Sequence, residues 1–221
     1  MGNKRQLSIL IPLLGFGRAG GYRVLSKLAD EWISHGCRVA FLVPYWSDLP
    51  YYPTKAEIHW VDARGGEVEN RPQMEFARTM FGKIRKMFRS LSGLKRGIHR
   101  ITGPWDIVLA NHSLTAWPVA LACTQGAKVY YIQAYEPEFY EVRRGLNNLV
   151  LKWASWVSYF LPLYRIVNAP LYLHYRACRA RNWIPPGLDL DVFHPANKAD
   201  SCEVGMERLA FTVGCIGRPE H

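Results

Sequence analysis

The sequence predicts an α/β protein built on a doubly wound parallel sheet of the Rossmann-like kind. Short apolar stretches of strand length alternate with longer stretches of helical periodicity, and the first strand runs through a glycine-rich loop straight into a helix. The 221 residues are 49% hydrophobic, which is enough to bury a large core. In such folds ligands bind outside the carboxyl ends of the strands. The loops after the strands therefore hold the candidate binding residues.

The first strand, its loop and the following helix form the most informative unit. Residues 8–12 predict a buried strand, residues 15–21 spell GFGRAGG, and apolar residues then recur at helical spacing until His35 and Gly36 end the helix. The helix N-terminus offers backbone N–H groups to a phosphate or a sugar hydroxyl. The glycine spacing is not the dinucleotide fingerprint, which disfavours a nicotinamide enzyme. A tight turn without a ligand is the alternative.

The rest of the chain continues the alternation. Further strands are predicted at residues 38–44, 57–61, 106–110, 128–132, 165–169 and 182–185, and helices at 115–123 and 171–180. Residues 146–164 are apolar and aromatic, but Lys152 and Pro162 interrupt them, and the stretch is too short to span a membrane. This segment is expected to lie at an interface or to pack on the sheet.

Charge is unevenly distributed. The formal net charge is +10 and the pI about 9.5, and no acidic residue lies between Glu75 and Asp106. Apolar residues interleaved with basic ones predict a basic amphipathic helix, broken near Gly93 and Gly97, whose favoured partner is an anionic membrane surface. A solvated helix that packs on the sheet is the alternative, and nucleic acid is disfavoured because no nucleic-acid-binding motif is present. The residues expected to face lipid are Lys83, Arg85, Lys86, Arg89, Lys95 and Arg96.

The cysteines and the N-terminal residues indicate the cellular compartment in which the protein is expected. The five cysteines include no C-x-x-C pair, so neither a zinc site nor a disulfide framework is indicated, and no metal is expected. The apolar run near the start is short and enters a glycine loop, unlike a cleaved signal peptide. The sequence predicts a cytoplasmic protein, peripheral at the cytoplasmic face of the membrane.

Polar residues follow the fourth and fifth predicted strands. In a doubly wound sheet these positions open onto the same crevice as the glycine loop. Imidazole, amide and carboxylate groups suit hydrogen bonding to sugar hydroxyls, although a lone histidine after a strand is more often structural. The residues are Asn111, His112 and Ser113 after the fourth strand, and Gln133, Tyr135 and Glu136 after the fifth.

Five segments together resemble a known family. GGYRVLSKLADEWISHGCRVAFLVP (20–44) resembles the opening of family 4 glycosyltransferases. IPPGLDLDVFHP (184–195) is similar to the family's passage into its second domain, and FTVGCIGRPEH (211–221) to the first strand of that domain. DIVLANHSLTAWPV (106–119) and KVYYIQAYEPEFY (128–140) resemble a subgroup that acts on rhamnan and other bacterial surface polysaccharides.

The resemblance implies the N-terminal half of a GT-B fold and a retaining, metal-independent glycosyltransferase without a cofactor. It implies that Gly20 and Gly21 approach the phosphates or sugar of a nucleotide-sugar donor, and that Arg218 faces the donor diphosphate. His112 falls near the family's crevice histidine and is the catalytic candidate. The acceptor side would be bordered by Asn111, Ser113, Gln133, Tyr135 and Glu136.

The same resemblance divides the chain into two parts. Residues 1–187 are expected to form the acceptor-side domain, and residues 188–221 a linker and the first strand of a truncated donor domain. The expected function is transfer of a sugar from a nucleotide-sugar to a glycan or lipid-linked acceptor during surface polysaccharide synthesis, with a separately encoded C-terminal half as a possible partner. The isolated chain is expected to be inactive. A non-catalytic glycan- or membrane-docking subunit is the alternative.

Overall fold

The computed structural model describes residues 6–69, 80–101, 103–140 and 145–187. These residues form seven strands: β1 Ser8–Pro12, β2 Arg38–Pro44, β3 Glu57–Val61, β4 Ile107–Ala110, β5 Ala127–Ile132, β6 Tyr164–Val167 and β7 Asn182–Trp183. They also form four α-helices: α1 Gly20–Ser34, α2 Met80–Arg100, α3 Ser113–Leu121 and α4 Leu146–Ser158. Two 3-10 turns lie at Glu136–Tyr140 and Pro170–Leu173.

The strands pair in one parallel sheet in the order β3-β2-β1-β4-β5-β6-β7. The chain winds outward from β1 to β3, returns to place β4 beside β1, and then winds the other way. The predicted doubly wound α/β fold is confirmed. Because the strand order reverses between β1 and β4, the loops that follow these two strands diverge and leave a crevice at the carboxyl edge.

Helices cover both faces of the sheet. On one face α2, α3 and α4 pack side by side. Leu94 of α2, Val119 of α3 and Tyr159, which directly follows α4, join a core with Leu10 and Tyr130 of the sheet. On the other face α1 packs its buried Leu25 and Ala29 against the sheet. All residues of β1 are buried, as expected for a strand covered on both sides.

Helix α2 differs from its prediction because it runs unbroken through both glycines. A side chain at Gly93 would overlap the carbonyl oxygen of Asp62, and one at Gly97 would come within 3.3 Å of Leu42 and Val61. The glycines therefore let the helix approach the sheet and the turn after β3. They mark close packing and not an end of the helix.

The predicted helix at residues 171–180 is wrong. Only the 3-10 turn Pro170–Leu173 forms, and further turns follow it. Backbone N–H groups of Tyr172, Tyr175 and Cys178 each donate to the carbonyl three residues earlier. These side chains, spaced three residues apart, pack against the core on the α4 side of the sheet, and a spacing of three fits successive three-residue turns better than an α-helix.

Two further findings bear on the predictions. Among the described residues, no helix has both the length and the apolar character needed to cross a membrane. The segment predicted as a linker and truncated donor domain, residues 188–221 with Arg218, lies outside the described residues.

Candidate functional site

The N-terminus of α1 opens onto the carboxyl edge of the sheet. Ala19 precedes the helix, and no side chain caps its first N–H groups. Gly20 is exposed, and a Cβ added there would meet nothing within 4 Å. A Cβ on Gly21 would lie 3.1 Å from Oε1 of Gln133, the residue after β5. The positive end of the helix therefore faces open space bordered by an amide side chain.

The N-terminus of α3 is filled by the protein itself. The side chain of Glu136 is buried, and the residue is only 3% exposed. Its two carboxylate oxygens accept hydrogen bonds from the Ser113 N–H at 2.9 and 2.8 Å, and the Tyr130 hydroxyl donates to it at 3.0 Å. A carboxylate at this position is stabilised by the helix dipole. An external anion can therefore reach α1 but not α3.

His112 is the N-cap of α3. Its Nδ1 accepts a hydrogen bond from the Leu114 N–H at 3.1 Å, and its Nε2 lies 3.3 Å from Oε2 of Glu136. With Nδ1 acting as acceptor, we assign the ring proton to Nε2, from where it points at the carboxylate. Both ring nitrogens thus have partners that hold the helix and its buried anion. The catalytic assignment of His112 stays a prediction.

Three tyrosines surround this carboxylate. The ring of Tyr159 stacks on those of Tyr130 and Tyr135, each with centroids 5.9 Å apart, and its hydroxyl accepts from the Glu136 N–H at 3.1 Å. Burial, followed by the nearby Glu136 charge, raises the pKa of both Tyr130 and Tyr159 above the usual value. The two phenols stay protonated at neutral pH, so Tyr130 remains a hydrogen-bond donor.

Two asparagines tie neighbouring strand ends together. Asn111 Nδ2 donates to the Pro12 carbonyl at 3.1 Å, which joins the ends of β4 and β1 across the switch point. Asn168, at the end of β6, donates through Nδ2 to the Gln133 carbonyl at 2.7 Å, while its Oδ1 is buried without a partner. Sequence reasoning missed Asn168, although an asparagine directly after an apolar strand is the signal that singled out Asn111.

The described site residues do gather at one edge, but they differ in accessibility. Ser113 and Glu136 are buried and turned into the protein, and Tyr135 packs on Tyr159 and Tyr175. The partly or fully exposed members of the predicted site are Gly20, Gly21, Asn111, His112, Gln133 and Tyr135. Within the described ranges, no group of three or more His, Cys, Asp or Glu side chains could hold a metal ion.

The residues predicted to face a membrane lie on α2. Arg85, Arg89, Lys95 and Arg96 are exposed and Lys86 is half-buried, whereas the side chain of Lys83 lies outside the described part. In the C-terminal half of α2, Leu94 and Ile98 are buried in the core, so the apolar stripe there packs on the sheet. The N-terminal half leaves Ile84 and Phe88 exposed. Lipid contact by α2 stays a prediction, restricted to that half.

Comparison with known proteins supports the fold. Neither the scan against protein-family models nor the search of curated proteins finds a match. A solved sucrose-phosphate synthase from Thermosynechococcus elongatus is 14% identical, with 89% of this chain and 51% of that chain covered and a TM-score of 0.59. A second structure of that synthase is 12% identical over 84% of this chain and 92% of that chain, but its TM-score of 0.46 is too low to support an argument.

The chain thus spans about half the length of the first structure that it matches. A likeness at 14% identity shows the fold alone. The chain has an α/β Rossmann-like fold of the kind found in a GT-B glycosyltransferase, as the resemblance in the sequence implied.

Proposed function

We propose that this chain is the acceptor-side domain of a glycosyltransferase that moves a sugar from a nucleotide-sugar to a glycan or lipid-linked acceptor. The observation that carries the proposal is the uncapped N-terminus of α1, where Gly20 leaves open space beside Gln133 at the switch point of the sheet. The fold likeness to a sucrose-phosphate synthase supports the same class. Retention of configuration, membership of family 4 and a role in surface polysaccharide synthesis belong to the proposal through the sequence resemblance.

In the proposed reaction the bond between the anomeric carbon and the donor diphosphate breaks, and an acceptor hydroxyl oxygen bonds to that carbon. The hydroxyl proton leaves with the departing phosphate oxygen. Backbone N–H groups at Gly20 and Gly21 and the α1 dipole would stabilise the negative charge that develops on the diphosphate. In the proposal this positive field takes the place of a divalent metal ion.

The acceptor would lie along the loops after β4 and β5, against Asn111 and Gln133. His112 would have to exchange its contact with Glu136 for one with the donor sugar, since both of its ring nitrogens already have partners. The buried Glu136 and its tyrosines then hold the loop in place without touching substrate. In the proposal, Glu136 and its tyrosines form a rigid support, and Asn111 and Gln133 form the accessible edge that contacts substrate.

The test is sugar transfer by the protein that contains this chain, with a panel of UDP-, GDP- and dTDP-sugars and release of nucleoside diphosphate as the readout. Gly20→Ala fills the open space without meeting another atom, so the fold should be unaffected. We expect it to lower kcat/KM by about tenfold, equivalent to about 1.4 kcal/mol. Ser34→Ala, at the far end of the same helix, is the control and should keep wild-type activity.

If the Gly20→Ala variant were as active as the wild type, the N-terminus of α1 would not be part of the donor site. Glycan binding without transfer from any donor would favour the alternative, a non-catalytic docking subunit.

A further inference from the structure

Helix α4 buries small polar side chains and exposes large apolar ones, the opposite of an ordinary surface helix. The side chains that it buries completely are Ser155 and Ser158, and Ser155 Oγ donates to Ser113 Oγ of α3 at 2.7 Å. Its large apolar residues point the other way. Those exposed on the helix and the turn that follows it are Leu146, Leu149, Val150, Trp153, Trp156 and Phe160.

These six residues form a single stripe, called here the α4 stripe. Each of them lies three or four residues from another member, which places them on one face of the helix and of the turn after it. Trp156 contacts both Trp153, at 5.6 Å between ring centroids, and Phe160, at 4.7 Å, so the aromatic part is continuous. Leaving several large apolar side chains in water is unfavourable, and a contiguous exposed patch of this kind marks an interaction surface.

The charge around the stripe indicates what covers it. Residues 145–187 contain five basic residues and no acidic residue. At the C-terminal end of the stripe, the guanidinium of Arg179 lies 5.4 Å from the centroid of the Phe160 ring. Basic side chains therefore lie at the C-terminal end of the stripe, which suits an anionic partner there.

A basic cavity lies at this end of the stripe. It has a volume of about 520 Å³ and is lined by Leu163, Tyr164, Arg165, Arg179, Ala180 and Arg181. Arg165 uses one nitrogen to cap the end of α4, through the Tyr159 and Leu161 carbonyls at 2.9 Å each, but its Nε is buried without a partner. Burial, and then the charge of Arg179, lowers the pKa of the Arg165 guanidinium, as expected for a buried cation beside a like charge.

We propose that the α4 stripe lies in the interface of an anionic lipid bilayer and that the arginine cavity binds a lipid phosphate. Tryptophan, phenylalanine and leucine on one helix face, next to arginines, are the side chains that favour the boundary between headgroups and acyl chains. The exposed guanidinium groups of Arg179 and Arg181, which line the cavity, would bind the phosphate. This surface is distinct from α2, and the proposal does not depend on the proposed sugar transfer.

The test is sedimentation with vesicles of phosphatidylcholine and phosphatidylglycerol in equal amounts, compared with phosphatidylcholine alone. We expect the wild-type chain to bind only the anionic vesicles, with quenching of tryptophan fluorescence by brominated acyl chains. Leu149→Ser with Trp153→Ser should weaken binding by at least about tenfold, and Arg179→Gln with Arg181→Gln by a similar factor. Arg165 is left unchanged because it caps α4.

The chain offers a matched control. Leu121, on α3, is 57% exposed, and Leu149 on the stripe is 51% exposed, so Leu121→Ser removes a similar side chain from outside the stripe. It should bind vesicles as the wild type does. Circular dichroism and urea unfolding confirm that each variant folds.

Three outcomes would overturn the proposal. The stripe variants could bind anionic vesicles as tightly as the wild type. Binding could instead be lost only in Arg85→Gln with Arg89→Gln on α2. The wild type could be a dimer in sedimentation equilibrium that the stripe variants convert to a monomer, which would assign the stripe to an interface between two copies.

Discussion

Of the residues at the carboxyl edge, Glu136 depends most on its hydrogen-bond partners. Burying a carboxylate costs free energy unless each of its oxygens has a partner. The Ser113 N–H, the Tyr130 hydroxyl and His112 Nε2 surround it, and the α3 dipole adds to them. These contacts join the loops after β4 and β5. The shape of the candidate site therefore depends on a buried residue.

Replacing this carboxylate tests that role. In Glu136→Gln an amide NH₂ group replaces one acceptor oxygen and faces hydrogen-bond donors, so we expect the free energy of unfolding to fall by about 3 kcal/mol. Urea denaturation measures the change. Glu138→Gln, two residues later in the same turn and exposed, is the matched control and should lie within about 0.5 kcal/mol of the wild type. Equal stability of the two variants would show that the Glu136 contacts contribute little.

Single residues at the edge show how far sequence reasoning reaches into a site. Asn111, His112, Gln133 and Glu136 could be selected because polar side chains directly after buried strands lie at the carboxyl edge. Which of them turn inward could not be predicted, since that depends on contacts between loops distant in sequence, such as Ser113 with Glu136. Asn168 was missed because the strand was predicted over residues 165–169, which places Asn168 inside it, whereas β6 ends at Val167.

For the secondary-structure elements, the sequence predicted the bounds of the strands closely but not which faces of the helices are buried. The strands predicted at residues 8–12, 38–44 and 57–61 match β1, β2 and β3 at both ends. For β1 and β2 the reason is that a strand buried in a parallel sheet is an almost continuous apolar run. Helix α4 shows the opposite case. Its periodicity defines two faces, but only the structure shows that the serine face is the buried one.

Helix α2 illustrates why glycine is ambiguous in a sequence. A glycine inside a helical pattern either interrupts the helix or permits close packing, and the choice depends on a neighbour that the local sequence does not contain. For Gly93 that neighbour is the Asp62 carbonyl, in the turn after β3.

The two glycines of α2 provide a paired test. Ala is favoured over Gly inside a helix by up to about 1 kcal/mol, so both substitutions gain the same intrinsic term. Gly93→Ala should nevertheless lower the free energy of unfolding by about 2 kcal/mol, because its methyl group meets a backbone carbonyl that cannot move aside. Gly97→Ala should be close to neutral, since its methyl group lies 3.3 Å from side-chain methyl groups of Leu42 and Val61, which need to shift by only a few tenths of an ångström. Stabilisation by both substitutions in urea unfolding would contradict the close packing of α2.

At the scale of the whole molecule, the described residues present two separate candidate binding surfaces. The carboxyl edge holds the open N-terminus of α1 with Gln133, and the α4 stripe with the arginine cavity offers a second, basic and apolar surface. In the proposed enzyme the first surface receives the donor and the second holds the protein against the membrane that carries a lipid-linked acceptor. We expect the donor affinity of this chain by itself to be weak, with a Kd on the order of millimolar, because the N-terminus of α1 offers the donor phosphates only backbone N–H groups and the helix dipole.

The most direct test of the proposed donor site is an amide-resolved NMR titration of this chain with UDP-, GDP- and dTDP-sugars at millimolar concentrations. At least one donor should shift the backbone amides of Gly20 and Gly21 and the side-chain amide of Gln133 together, and Gly20→Ala should suppress those shifts. The amide of Gly36, at the other end of α1, serves as the internal reference. Shifts confined to Arg179 and Arg181, or no shifts at α1 with any donor, would contradict the assignment of the α1 N-terminus to a nucleotide-sugar.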